Sequence, residues 1–446
     1  MYFCSDFVNQ INNSIELKSL SGTKYYFLEK YQQDSSYYLA YVLTAYFLLL
    51  MFFARFEVIQ SFVIWGVGPT FAILVFLNYF KFPFRIPKEV IIYFVFWLWT
   101  YPGYLSVTYV DGYFRYFRLI FTILVFFFCI QVVLIRTGKI KMMYQALLAN
   151  SLLFFLYAVF SGEFFTPPDD TQRVQVLVDN ANGFAYIGLT GLSGVLFLWK
   201  GVKNFNSKIW LWIIASCFVL MIIFTASRSG FITMIVLFVC WLIFCYYKSF
   251  LKHSILYIAL IIFFVPISYY GYSYILETTY LGERLSETAG SEGSGITDES
   301  RVQLYIEGFE MFKSNPIYGV GLSQFIILSS KKAVAHSEYM ELLATTGLGG
   351  LLLMLYFYYI LIKKNNAVKK IVTDSVVLYR LNLANAIIVS ILVFGLFRAN
   401  FLDILTMVQL GFIAGYSNYL AIKYKTYKEI LKVENESVSF PHLKDA

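Results

Sequence analysis

Charge is what this sequence has least of. Only 14% of its 446 residues are Asp, Glu, Lys or Arg, against 59% hydrophobic and 20% aromatic, a balance a soluble enzyme could not keep out of water. Cysteine is scarce too: of five, Cys129, Cys217, Cys240 and Cys245 fall in apolar runs and Cys4 near the start, which excludes a disulfide framework and a cysteine-based metal site. No internal period of about 20 to 50 residues signals a repeat array, and no ten-residue alternation signals a membrane β-barrel. The first 37 residues are polar and lack the basic, apolar, small-residue order of a cleaved signal; they read as a cytoplasmic segment. Histidine is rarest of all, with three in the chain.

What is present is a row of apolar runs long enough to cross a hydrocarbon layer of about 30 Å. Twelve are expected: 38–54, 58–80, 90–108, 114–135, 142–161, 184–199, 209–225, 231–247, 254–272, 338–362, 377–397 and 403–422. An open sheet would leave backbone groups unpaired in lipid, so the fold class is all-α, a polytopic membrane protein of about 12 transmembrane helices. The expected division is a cytoplasmic segment 1–37, spans one to nine over 38–272, an external loop 273–337, spans ten to twelve over 338–422, and a cytoplasmic tail 423–446.

Alternate short connections differ in their cations. One set carries Lys81, Arg85, Lys88, Arg136, Lys139, Lys141, Lys200, Lys203, Lys208, Lys248, Lys252, Lys363, Lys364, Lys369 and Lys370, which assigns it and both termini to the cytoplasm. Most of the net charge of +8 sits there, where it suits an anionic leaflet and needs no nucleic acid. The other set carries Arg55, Arg115, Arg118, Arg173, Arg228 and Arg398 and no lysine. Arginine can be snorkelling. Its planar fork, however, grips two phosphate oxygens at once and keeps its charge, and Arg115 and Arg118 share a helix face.

Two external connections are long. In 162–183, Pro167 and Pro168 stop a helix and Asp169, Asp170 and Arg173 supply charge. In 273–337 a Gly/Ser/acid-rich middle, SETAGSEGSGITDES, precedes a change of character. Ser300 and Gln303 fit a capping box, and Val302, Tyr305, Phe309 and Phe312 recur at helical spacing. This predicts an amphipathic helix along the outer membrane face, ended by Asn315 and Pro316, with Arg301 in its first turn. The helix dipole disfavours a cation there, which suggests either a bound anion or simple exposure to solvent.

The stretch HSEYMELLATTGLGG, 336–350, then sets His336 at the head of the tenth span. Gly347 lies about three turns on and Gly350 one further, near the same stripe; small residues at this spacing predict a neighbouring helix packed close behind the imidazole. Glu341 falls some 140° around that helix from His336, which makes it a weak catalytic choice. Asp111, Asp169 and Asp170 could form an acidic metal site, but they stand on separate or Pro-bent loops, and no metal is expected.

His336-Ser337, nine residues, then Gly347-Leu-Gly-Gly350 resembles the H-[N/S/Q]-x9-G-x-x-G pattern of the O-antigen polymerase and O-antigen ligase superfamily of bacterial envelope glycosyltransferases. VDNANGFAYIGL (178–189), FTASRSG (224–230) and SRVQLYIEGFEMFKSNPIYGVGLSQF (300–325) resemble other family segments in the same order. The resemblance spans about 178–350; residues 1–160 match only as a row of spans. It implies a polymerase, or alternatively a ligase, in the bacterial inner membrane with its active site on the periplasmic side. The donor would be an oligosaccharide on undecaprenyl diphosphate, and the acceptor another glycan or lipid A core. Membrane lipids and a chain-length regulator are the other partners it suggests, with no cofactor.

Carried over, His336 is the base, and Arg228 with Arg301 or Arg284 holds the diphosphate; Arg173, Arg398, Arg115 and Arg118 are further candidate ligands. An imidazole of ordinary pKa about 6.5 suits removal of a sugar hydroxyl's proton, and guanidinium groups suit the growing charge of a departing diphosphate. A lipid-linked oligosaccharide flippase is the competing class. It would show charges buried mid-span and an internal two-fold repeat; few of the first and none of the second are seen.

Overall fold

The structure, a computed structural model, describes residues 36–81, 84–162, 181–252 and 295–438. All regular structure among them is helical: α1 (Ser36–Met51), α2 (Gly68–Lys81), α3 (Lys88–Trp99), α4 (Val110–Thr137), α5 (Ile140–Phe160), α6 (Ala181–Trp199) and α7 (Phe205–Phe224), then α8 (Arg228–Lys252), α9 (Gly295–Ser314), α10 (Gln324–Leu328), α11 (Glu338–Lys369), α12 (Ser375–Phe394) and α13 (Ile404–Val438). A π-helical stretch, Phe62–Val67, leads into α2.

Nine of the twelve expected spans stand as helices long and apolar enough to cross a membrane, and the chain is an integral membrane protein. The third differs. Helix α3 has 12 residues, about 18 Å, because Pro102 opens a 3-10 turn, Pro102–Ser106, in place of the rest of the span. The ninth, 254–272, lies outside the described residues, as do 1–35, most of 163–183 and the first part of the loop 273–337. The twelfth is α13, which begins as expected and runs on as helix to Val438.

Helix α6 is the hub: 94% of its span is buried inside the protein. Glycine makes that possible. A Cβ on Gly191 would stand 2.6 Å from both Phe218 and Ser151, and one on Gly188 3.0 Å from Ile222, so α5 and α7 close directly onto its backbone. Helices α4 and α13 pair, as do α8 with α12 and α3 with α11.

The contacts sort the residues to two ends of the bundle. At one end Gly138, φ +60°, closes α4 in a left-handed cap against the Tyr419 ring, and Arg380 lies by Gly201. A polar clamp sits at the same end. Glu89, fully buried, pairs with Lys364, and Asn418 bridges Glu89 (2.6 Å) and Gln131 (2.9 Å), tying α3, α4, α11 and α13. The other end carries His336 with Arg228, Arg301 and Arg398.

Candidate active site

The site begins with a broken helix. Within α11, Gly347 has φ 68° and ψ −171°, a region open essentially to glycine alone. The break leaves carbonyls and an amide without their helical partners, and the segment Pro316–Gly321 supplies new ones. Val320 N–H donates to Ala344 O (2.9 Å), Gly321 N–H to Thr345 O (3.1 Å), and Leu348 N–H to Pro316 O (2.9 Å). Trp99 Nε1 adds a bond to Thr346 O at 3.1 Å.

Of the two glycines expected to face a neighbouring helix, Gly347 meets this segment instead and Gly350 its own helix, while Gly349, between them, meets α3. A Cβ on Gly347 would fall 2.2 Å from Ile317 O, one on Gly349 2.0 Å from the Trp99 ring, and one on Gly350 2.0 Å from Thr346 Oγ1 in the same helix. Helical spacing gave no hint of this, since the wheel assumes an unbroken helix.

His336 lies just before α11 and outside its helical geometry, with φ +52°. Histidine tolerates the left-handed region better than most residues, yet at a cost of about 1 to 3 kcal/mol. Anchors on both sides hold it. Ala335 N–H donates to Glu341 Oε2 (3.0 Å), and Glu338 N–H donates to Gly395 O at the end of α12 (2.7 Å). Glu341, which the helical wheel turns away from His336, instead meets the amide of Ala335, the residue before that histidine, because the chain folds back ahead of the helix. Glu341 is 3% exposed.

Helix α9 brings the loop arginine to the histidine. It starts at Gly295, ahead of the Ser300 cap, so Arg301 stands in the second turn and the argument from a first-turn cation lapses. Asn315-Pro316 ends it as expected. Leu304 and Met311 pack with Phe325, Val320 and Ala344, while Val302 and Phe309 of the stripe expected to meet the membrane stay exposed at the protein surface, as does Ile306. Burial first, and the Arg301 guanidinium second, push the imidazole of His336 below its ordinary pKa. The ring is therefore a neutral base at neutral pH. Beside it Tyr305, Tyr339, Met340, Leu343, Leu351 and Leu396 line an apolar cleft of about 230 Å³ that includes Ser337.

The remaining arginines take distinct places. Arg228 heads α8 after Ala226, a residue strained at φ +49°. Ser227 caps the helix, its Oγ accepting Gly230 N–H (3.1 Å) and donating to Asn182 Oδ1 (2.7 Å). The segments 178–189 and 224–230 thus meet. Arg398 is paired with Asp403 (2.8 Å) and lies over the Tyr186 ring. Arg118 Nε donates to Phe114 O on its own helix, and Arg115 is exposed. Arg173 and Arg284 lie outside the described residues, as do Asp169 and Asp170.

The sequence reading missed two supporting residues. Gln324 accepts from Thr108 and Tyr109 N–H (3.0 Å each) and donates to Tyr109 O, binding the segment after the glycine turn to the head of α4. Glu338, 1% exposed, accepts from Tyr358 OH at 3.0 Å. A carboxylate at the start of an apolar span was the available signal for both Glu338 and Glu341.

A family model described as O-Antigen ligase matches residues 213–355, about a third of the chain, running from within α7 past the break in α11. His336, Arg228, Arg284, Arg301, Gly347 and Gly350 all fall inside it. No curated protein matches the sequence.

Proposed function

From the O-antigen polymerase and ligase superfamily to which residues 213–355 point, we propose that this membrane protein transfers a glycan from undecaprenyl diphosphate to a sugar hydroxyl at the periplasmic face of the bacterial inner membrane. One observation carries the reading: a partly buried imidazole on a strained, doubly anchored turn faces Arg301. His336 takes the proton of the acceptor hydroxyl as its oxygen bonds to the anomeric carbon. The bond from that carbon to the diphosphate breaks, and undecaprenyl diphosphate leaves with the electron pair. Arg301 and Arg228 receive the charge that develops on it, with Arg284 as the further loop candidate. The neighbouring apolar cleft suits the start of the polyprenyl chain. Glu341 positions His336 through Ala335, and the step needs no metal.

Polymerisation is the favoured direction, since nothing in the chain is specific for a lipid A core acceptor. The ligase reading is kept because the matching family model bears that description. Deleting the gene and resolving surface polysaccharide by size separates them. Single repeats still attached to core, with long chains lost, support polymerase; unattached glycan left on carrier lipid supports ligase. Wild-type chain lengths on core would contradict both.

A further inference from the structure

At the end of the bundle away from His336 lies a second, larger cleft of about 560 Å³. The α4–α5 turn, the head of α12 and α13 form it, and Lys139, Lys141, Arg380 and Lys423 all line it. One carboxylate, Asp374, shares the lining, but its Oδ1 is occupied in capping α12, accepting Val376 and Val377 N–H at 2.8 and 2.9 Å. Among the described residues no carboxylate pairs with Lys141, Arg380 or Lys423. Arg380 is the odd member. Its guanidinium is stacked on the Phe197 ring at 4.7 Å, and its Nε is buried with no hydrogen-bond partner. The half-buried guanidinium bonds the Tyr416 hydroxyl but has no carboxylate acceptor, and an unmet charged donor is costly.

The place of the cleft says what could supply that acceptor. Its residues sit where one span ends and the next begins, at Thr137–Ile140 and Ser375, so the cleft opens at the level of a membrane surface. Tyr416 and Tyr419 in its wall are side chains suited to that interface. Basic pockets between transmembrane helices on the Lys-rich side are suited to anionic headgroups, and a guanidinium fork matches two phosphate oxygens.

We infer that this cleft binds the phosphate of an anionic phospholipid, with Arg380 as the inner ligand and Lys141 and Lys423 at the rim. The site is separate from the proposed glycan-transfer chemistry and stands without it. The test is a titration of full-length protein in neutral detergent with phosphatidylglycerol, phosphatidylcholine or inorganic phosphate, followed by thermal unfolding. Phosphatidylglycerol should stabilise at lower concentration than phosphatidylcholine. Arg380→Gln should weaken that effect by about tenfold or more, the size of one charge-assisted pair. The exposed double variant Lys141→Gln/Lys423→Gln, which leaves the core untouched, should weaken it several-fold and serves if Arg380→Gln does not fold. Equal stabilisation by the two lipids, or unchanged response in the double variant, overturns the inference. Equal stabilisation by inorganic phosphate overturns the lipid as its source.

Discussion

Replacing Gly347 by alanine sets a methyl carbon 2.2 Å from the Ile317 carbonyl oxygen and 2.4 Å from its carbon. No side-chain rotation relieves an overlap with backbone. Either residue 347 leaves φ 68°, ψ −171°, or Pro316–Gly321 lifts away and the three hydrogen bonds at 2.9, 3.1 and 2.9 Å are lost. Backbone strain of about 1 to 3 kcal/mol, with about 0.5 to 1.5 for each bond, gives roughly 3 to 7 kcal/mol in all. That is comparable to the whole stability of many domains. Heating the detergent-purified protein and measuring the fraction that stays monodisperse reads the effect. Gly66→Ala is the control, since its Cβ would meet nothing closer than 3.5 Å; it should match or slightly exceed wild type. A Gly347→Ala protein as heat-resistant as Gly66→Ala would refute the junction as the reason for the glycines.

Other expectations follow from the same contacts. Arg301 helps hold the His336 pKa down, and a base works above its pKa, so Arg301→Gln should move the acid limb of the pH–rate profile to higher pH; an unmoved limb means the two groups do not interact. Glu341→Gln keeps an acceptor for Ala335 N–H and should retain most activity, whereas Glu341→Leu leaves that buried amide unpaired at about 1 to 3 kcal/mol and should lower kcat more than KM. Equal activity of the two variants would remove Glu341 from the positioning of His336. Glu89→Ala strands Lys364 in the polar clamp and should destabilise by about 3 to 5 kcal/mol, which a melt of the purified variant measures. A melting point at the wild-type value would leave the clamp without a structural role.

Long apolar runs were legible because spanning a membrane leaves a chain few choices: eight spans lie within a few residues of their expected bounds, and the tenth starts as expected but runs on to Lys369. The third was not, because Pro102 ends α3 early and the apolar residues Tyr104, Leu105 and Val107 after it disguise the 3-10 turn. At the site, the family resemblance named Arg301 or Arg284 as the partner of His336; Arg301, the one among the described residues, acts electrostatically on the imidazole. The mechanical basis of the site was not legible. A helical wheel sets Gly347 against a partner helix, which the break at that residue overturns, and it could not show that Glu341 bonds the amide of Ala335, since that residue precedes the helix. Asn182 and Ser227 also came together from segments quoted only for their likeness to a family; hydrogen bonds 45 residues apart leave no periodic trace.

The most direct measurement is the rate at which purified wild-type and His336→Ala proteins, both inserted in liposomes, transfer glycan from undecaprenyl diphosphate with a chelator present. With His336 as the base, the variant should insert normally and be slower by about 10² to 10⁴, while still binding the donor. Transfer by His336→Ala at the wild-type rate would contradict the central claim.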